Sequence, residues 1–245
     1  MNDSSVAIVI PARFHSTRFP GKPLAVVNGK PLIEWVYRRA REVSGVDRVV
    51  VATDHKDIAD AIGGFGGDVI MTSGNHATGT DRVAEVARGL KHSFVFNLQG
   101  DEPVFPVSLL EEMIRELAGS DADIVTASHA IEGAAEMNDT NVVKVVTDRS
   151  GNALYFSRAA IPCGHAPGGD GLAGFRHIGI YGFKRASLLR FADAQRTPLE
   201  EAENLEQLRA LENSMTIRVI QTEYLALGVD VPGDLKNVEK ALASV

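Results

Sequence analysis

The order in which the apolar runs change period constrains this chain more than any other feature. Strand-like, β-branched stretches run from Val6 to Ile10, Arg48 to Ala52, Asp68 to Met71, Phe94 to Leu98 and Asp123 to Ser128. Between them, apolar residues recur at helical spacing: Ile33, Val36, Tyr37, Ala40 and Val43, then Val83, Val86, Ala87 and Leu90, then Leu109, Leu110, Met113, Ile114 and Leu117. Strands that alternate with helices build a sheet whose strands are joined by right-handed crossovers. The expected fold class is α/β, with a mostly parallel central sheet flanked by helices.

The second half reads differently. Val142 to Thr147 and Asn152 to Phe156 predict a hairpin about the turn-forming Asp148-Arg149-Ser150-Gly151. After Ile161-Pro162 comes a glycine-rich segment, Cys163 to Gly174, expected as a mobile surface loop. Strand text returns at His177 to Phe183, followed by helices from Ala186 to Asp193 and from Pro198 to Glu212. A strand at Thr216 to Gln221, a loop at Gly228 to Pro232 and a helix from Gly233 to Ala243 close the chain. On the long second helix, Glu203 and Glu206 or Gln207 would share one face, with Leu205, Leu208 and Leu211 toward another. Nothing in the composition marks a linker, so one domain over 1–245 with an embedded subregion at about 140–185 is expected.

With 44% hydrophobic residues, the 245-residue chain has ample core-forming material. A formal net charge of -7 argues against a nucleic-acid partner, which calls for a basic surplus. The single cysteine, Cys163, has no internal disulfide partner and fits a reducing compartment. No apolar run approaches the roughly 20 residues of a membrane span, and the first residues lack a basic-then-apolar leader. The expectation is a cytoplasmic protein without a membrane partner.

Against that acidic background, the segment after the first strand stands out: Arg13, Arg18 and Lys22 supply three permanent cations among Pro11, Pro20 and Pro23. Open α/β sheets bind ligands outside the carboxyl ends of their strands, where an anion is most often a phosphate chain. Arg offers a planar fork and Lys a point charge, while Gly21 lets backbone approach phosphate oxygens; read otherwise, the segment is a solvated basic loop packed by its prolines. The segment matches neither Gly-x-x-x-x-Gly-Lys-Ser/Thr nor Gly-x-Gly-x-x-Gly. That counts against an ordinary ATPase or dinucleotide oxidoreductase and leaves room for nucleotidyl transfer.

The fourth strand ends in Asn97-Leu98-Gln99-Gly100-Asp101-Glu102-Pro103, where a carboxylate beside a glycine suits Mg²⁺ together with phosphate oxygens. Asp230, in Gly228-Val229-Asp230-Val231-Pro232, offers a second acid. Asp101 reads equally as a turn or capping residue, and Asp230 as a turn acid. Val51-Ala52-Thr53-Asp54-His55 offers contacts to a base or ribose, or a helix cap. In Thr72 to Arg82, backbone donors and hydroxyls suit a nucleotide, with Thr80 or Asp81 as the alternative cap. Arg158 suits a substrate carboxylate, and Glu206 or Gln207 its hydroxyls; read otherwise, these belong to a solvated face, and His177 is a satisfied strand histidine.

Eight motifs in order go further. Ile-Pro-Ala-Arg-x-x-Ser-Thr-Arg-x-Pro-Gly-Lys-Pro-Leu, Val-Ala-Thr-Asp, Thr-Gly-Thr-Asp-Arg, Asn-x-Gln-Gly-Asp-Glu-Pro, Ala-Leu-Tyr-Phe-Ser-Arg-Ala-x-Ile-Pro, Arg-His-x-Gly-Ile-Tyr-Gly, Leu-Glu-Gln-Leu-Arg and Gly-Val-Asp span Val6 to about Val238. Together they resemble the 3-deoxy-manno-octulosonate cytidylyltransferase (CMP-Kdo synthetase) family. The sequence departs from the family's pattern at Cys163 and at Gly233.

The resemblance implies a Rossmann-like nucleotidyltransferase fold with a β-rich dimerisation and sugar-binding subregion in the second half, and a homodimer. It implies the Mg²⁺-dependent reaction of CTP with 3-deoxy-D-manno-octulosonate (Kdo), an acidic 2-keto sugar, to give CMP-Kdo and pyrophosphate in lipopolysaccharide synthesis. By the family's pattern Arg13, Arg18 and Lys22 hold the phosphates, and Asp101 and Asp230 hold metal; these five form the catalytic set. Ala12, Thr53, Ser73, Thr80 and Arg82 fall on the nucleotide side, and Gln99, Arg158, His177, Tyr181, Glu206 and Gln207 on the sugar side. A related acidic sugar, 8-amino-Kdo or a sialic acid, is the alternative acceptor. A nucleotide-sensing protein without turnover is the rival from another class.

Overall fold

The computed structural model describes residues 5–15, 18–163 and 174–243. Two compact units divide the chain, Met1–Arg115 with Ala226–Val245, and Glu116–Leu225.

In the first unit the chain runs β1 (Val6–Ala12), β2 (Val26–Val27), β3 (Lys30–Pro31), α1 (Leu32–Ala40), β4 (Arg48–Thr53), α2 (Lys56–Gly64), β5 (Val69–Met71), α3 (Gly79–Gly89), β6 (Phe94–Asn97) and α4 (Val107–Gly119), within which the division falls. The strands lie in the order β6-β1-β4-β5, all parallel. Val6 to Ile10 are completely buried, as expected where helices cover both faces of a parallel sheet. In register, Ala12 pairs with Thr53 and Val9 with Asn97, so the segments after β1, β4 and β6 all leave the same carboxyl edge.

The amphipathic stripe of α1 buries Ile33, Val36, Tyr37 and Ala40, as the spacing predicts. A hairpin of two short strands, β2 and β3, was not anticipated, although Asn28-Gly29 carries its signal. Both residues take positive φ, 46° and 79°, the conformation a two-residue hairpin turn requires. Val27 on this hairpin forms a cluster with Leu32, Val229 and Val238, against which Phe19, Trp35 and Leu235 pack. Burial of each such side chain contributes about 1.5–3 kcal/mol. The cluster fixes the C-terminal return beside the segment that follows β1. That return ends in a helix, Leu235–Leu242, preceded by a 3₁₀ turn, Pro232–Asp234, instead of one helix from Gly233.

The second unit contains β7 (Ile124–Ala130), α5 (Ala134–Asn138), β8 (Lys144–Thr147), β9 (Ala153–Ser157), β10 (Phe175–Lys184), α6 (Arg185–Asp193), α7 (Pro198–Glu203), α8 (Gln207–Glu212) and β11 (Ile217–Gln221). Its strands are ordered β11-β7-β10-β8-β9, with β11 parallel to β7 and the other pairs antiparallel. The expected hairpin is present. The Asp148 carboxylate accepts the backbone N–H groups of Ser150 and Asn152, each at 2.8 Å, and Gly151 turns the chain at φ 83°.

The single helix expected from Pro198 to Glu212 is two. Asn204 takes the left-handed conformation at φ 52°, ending α7, and a new turn begins at Glu206. Glu203 and Glu206 therefore do not share the face of one helix. A buried bidentate pair spans the break: Arg209 donates to Glu200 at 2.6 and 2.8 Å, and its guanidinium lies 4.6 Å from the Phe191 ring centre. The interior of the Cys163 to Gly174 segment lies outside the described residues. Among the described residues, no helix is long and apolar enough to cross a membrane.

Candidate functional site

The segment after β1 is closed on itself before any ligand is considered. Gly21 donates its N–H to the Phe14 carbonyl at 2.9 Å from a backbone at φ 71°, a conformation that disfavours side chains. Lys22 then opens a short 3₁₀ turn whose Pro23 is buried, so the lysine leaves the backbone from a fixed position. Its ammonium donates to Asp101 and, at 2.8 Å, to the Val229 carbonyl. The Val229 N–H in turn donates to the Asp101 carbonyl at 3.1 Å. Three segments far apart in sequence are thereby stitched at one point.

Asp230 follows immediately and pairs with Arg18 at 3.0 Å, both side chains more than half exposed. A pair so solvated adds little stability and is easily exchanged for another anion. The Asp230 turn itself is held by Asp234, whose carboxylate accepts the N–H groups of Asp230 and Val231 at 2.8 and 2.9 Å. These bonds, that from Val231 foremost, hold the Asp234 carboxyl below its usual range. Sequence reasoning missed Asp234. Its signal was an acid two residues after a proline at a helical start.

A cleft of about 410 Å³ opens at this carboxyl edge, lined by Ala12, Arg13, Arg18, Lys22, Gln99 and Asp101 among the expected residues, and by His15. Glycine suits position 100, since a Cβ would stand a tight 3.2 Å from both the Pro11 carbonyl oxygen and the Ile33 side chain, and either would have to give by a few tenths of an ångström. The β6 segment can thus pass against β1 and deliver Asp101.

Thr53, Thr80 and Arg82 do not line the cleft; all three are buried. Thr53 closes its own turn, accepting the His55 N–H at 3.2 Å, and the cap of α2 is His55. The Thr80 hydroxyl accepts from Asn97 at 3.1 Å, and the capping residue of α3 is Thr78, paired reciprocally with Asp81. Arg82 is completely enclosed, donating to Asp54 at 3.0 Å and to the Thr72 hydroxyl. It ties the ends of β4 and β5 to α3. Ser73 is exposed, and its N–H donates to Glu85 at 3.0 Å.

In the second unit, Arg158 is held from two sides. Its Nε donates to the Glu203 carbonyl and its Nη1 to the Thr140 carbonyl, both at 3.0 Å, while its own N–H donates to the Glu203 carboxylate at 2.9 Å. The same carboxylate accepts the Ser157 hydroxyl at 2.6 Å. Burial opposes charge on Glu203, but the bonds from Ser157, Arg158 and Tyr155 outweigh it and lower the pKa. Lys144, completely buried, donates its ammonium to the carbonyls of Asp139, Val142 and Arg158, and burial lowers its pKa. Lone in the run Val142-Val143-Lys144-Val145-Val146, it was visible in the sequence as a charge in strand text.

His177 and Tyr181 lie on β10 on either side of a bulge between Ile178 and Tyr181. The His177 ring packs between Phe156 and Tyr181, with centroids 5.1 and 5.3 Å away, and its Nε2 is 2.9 Å from the Thr126 hydroxyl. Burial pushes the Tyr181 phenol up, with the Glu206 charge acting in the same direction. Glu206 and the buried Gln207 open α8 directly after the Asn204 break.

This architecture and its cationic cleft define a class of nucleotide-handling α/β protein, and a family model described as Cytidylyltransferase matches residues 7–217. The 3-deoxy-manno-octulosonate cytidylyltransferase of Syntrophotalea carbinolica is 48% identical over 97% of this chain and 98% of the relative. That of Geobacter metallireducens is 45% identical with the same coverage. The solved structure of a CMP:2-keto-3-deoxy-manno-octonic acid synthetase complexed with CTP superposes with a TM-score of 0.94 at 38% identity, covering 98% of this chain and 99% of that one. The chain belongs to the 3-deoxy-manno-octulosonate cytidylyltransferase family.

Proposed function

We propose that the protein transfers CMP from CTP to the anomeric hydroxyl of Kdo, releasing pyrophosphate, and so supplies the activated sugar for lipopolysaccharide synthesis. The observation that carries this reading, beside family membership, is the stitch of Lys22, Asp101 and Val229 at the head of a cleft rimmed by Arg13 and Arg18.

In-line displacement at the α-phosphorus asks for positioning and charge neutralisation more than for covalent chemistry from the protein. Arg13 and Arg18 grip the triphosphate, and Arg18 leaves its exposed pairing with Asp230 to do so. Lys22, fixed by the Val229 carbonyl, stands where charge builds on the transferred phosphoryl group. Thr53, Thr80 and Arg82 serve the nucleotide side by holding its segments, and Ser73 offers the exposed hydroxyl. Gln99, Arg158, His177, Tyr181, Glu206 and Gln207 serve the sugar. Arg158 keeps its Nη2 edge for a substrate carboxylate, because Nε and one Nη1 hydrogen are committed to backbone carbonyls.

Asp101 and Asp230 would hold Mg²⁺ once the triphosphate draws Lys22 and Arg18 away from their carboxylates. Among the described residues no three acids, histidines or cysteines gather into a complete metal cage, and a magnesium ion uses one or two carboxylates with phosphate oxygens and water. When bound, the ion neutralises phosphate charge and lowers the pKa of a coordinated hydroxyl. The exposed Leu154 on β9 and Leu199 on α7 support pairing of two copies through the second unit.

The test is a pyrophosphate-release assay crossing four nucleoside triphosphates with Kdo, 8-amino-Kdo, a sialic acid and a sugar 1-phosphate. Turnover confined to CTP and fastest with Kdo is expected; activity with UTP and a sugar phosphate sinks the reading.

A further inference from the structure

We infer that Thr126 is a positioning residue that holds His177 in its Nε2–H tautomer, so that Nδ1 is presented as a hydrogen-bond acceptor for a hydroxyl of the sugar. The inference rests on the proposed placement of His177 on the sugar side.

The Thr126 hydroxyl lies 2.8 Å from the Ile180 carbonyl, 3.1 Å from the Ile178 carbonyl and 2.9 Å from His177 Nε2. Both carbonyls face it because the β10 bulge falls between Ile178 and Tyr181. A carbonyl only accepts, and the hydroxyl has one proton. If that proton went to the imidazole, two carbonyl oxygens would confront the hydroxyl's lone pairs at hydrogen-bonding distance with nothing between them. The proton therefore goes to a carbonyl, and Nε2 must donate. Thr126 is completely buried, so no water relieves the arrangement.

A second observation bears on charge. Burial pulls the His177 pKa down to about 3, leaving one proton on the ring at neutral pH. With that proton on Nε2, Nδ1 is bare, and it has no hydrogen-bond partner among the described residues, although the residue as a whole is only half-buried. A neutral ring offering a bare nitrogen recognises an O–H group. It repels a carboxylate and supplies no proton to a leaving group, so His177 reads a hydroxyl and leaves the sugar's acid to another residue.

Nitrogen-15 NMR of histidine-labelled protein at pH 7 tests this, with His177 assigned by the signal missing from His177→Gln. The wild type should show a protonated Nε2 and a bare Nδ1. Saturating Kdo with a non-hydrolysable CTP analogue should shift Nδ1 upfield while Nε2 keeps its proton. Thr126→Val should mix or reverse the tautomers and raise KM for Kdo about five- to tenfold, the worth of a neutral hydrogen bond. KM for CTP should not change, and Thr126→Ser should restore both spectrum and KM. An Nδ1–H or imidazolium spectrum in the wild type, or an Nδ1 signal unmoved by the sugar, overturns the inference. So does a folded Thr126→Val protein with unchanged tautomer and unchanged KM. If Thr126→Val does not fold, the wild-type titration still decides. Absence of turnover with Kdo alongside an Nε2–H spectrum instead overturns the sugar assignment and leaves the tautomer standing.

Discussion

At the scale of single residues, Asp101 joins structure and chemistry most directly. It is the partner of Lys22, and its own carbonyl anchors Val229. Asp101→Asn keeps the shape and the backbone bond, removes the charge that pairs with Lys22 and weakens the proposed metal site. Loss of one such transition-state group typically costs about 3 kcal/mol, or ~100-fold in rate. We expect kcat to fall by about that factor at saturating Mg²⁺, read by pyrophosphate release; full turnover would remove Asp101 from the reaction. His177 gives a prediction on stability. The unfolded chain protonates this imidazole around its ordinary 6.5, whereas the folded protein does so only near 3. Between those values the unfolded state binds more protons, so stability falls as pH drops from 6.5 toward 3. His177→Gln should flatten that limb of urea midpoint against pH, while the carboxylate contribution below the ordinary carboxyl pKa persists in both proteins. Parallel curves for the two proteins would show that folding leaves the proton affinity of the ring unchanged.

At the scale of elements, the end of α5, the start of β8 and the end of β9 meet on Lys144. Its ammonium donates to three carbonyls, one of them that of Arg158, and the Asp139 carbonyl accepts the Val142 N–H at 3.1 Å as well. Lys144→Met keeps the apolar stem and takes that donor from the Val142 and Arg158 carbonyls, at a cost of about 3 kcal/mol for incompletely rehydrated groups. A urea midpoint lowered accordingly, together with a raised KM for the sugar, is expected; an unchanged midpoint would mean that water replaces the ammonium freely. How far such features can be read from sequence depends on where their cause lies. Most strands and helices of the first unit were legible because β1, β4 and β6 are apolar on both faces and each helix on one, whereas the short β2–β3 hairpin has too few residues to show a period. Arg13, Arg18, Lys22 and Asp101 were legible as lining residues of one cleft because they sit just beyond strands, at the carboxyl edge where open α/β sheets bind their ligands. Thr53, Thr80 and Arg82 were not separable from ligand contacts, since a polar residue at the start of a helix reads alike whether it is a buried strut or a binding group. The break at Asn204 was hidden because a left-handed Asn needs no sequence mark, and the Glu200–Arg209 pair that spans it forms only after the chain has turned. Thr126 looked like ordinary strand text; its partners come from a bulge on another strand.

At the scale of the molecule, the candidate nucleotide groups and most of the sugar groups belong to different compact units. Residues lining the cationic cleft all fall in Met1–Arg115, with the Asp230 turn in Ala226–Val245. Arg158, His177, Tyr181, Glu206 and Gln207 all fall in Glu116–Leu225. Each ligand added alone should therefore leave a separate footprint in amide hydrogen exchange. CTP with Mg²⁺ should slow exchange in residues 98–103 and 228–231, where the Lys22 stitch is made. Kdo should slow residues 156–158 and 203–207, where the Arg158 anchors and the α7–α8 break lie. Because a ligand bound only by the folded state stabilises it by mass action, CTP at a hundredfold excess over Kd should add about 2.7 kcal/mol. Lys22→Met should abolish the first footprint and most of that gain while leaving the Kdo footprint in place, since Lys22 bonds to neither Arg158 nor Glu203. Protection by CTP confined to 203–207, with 98–103 unchanged, would place the nucleotide on the other unit and reverse the assignment of the two ligands.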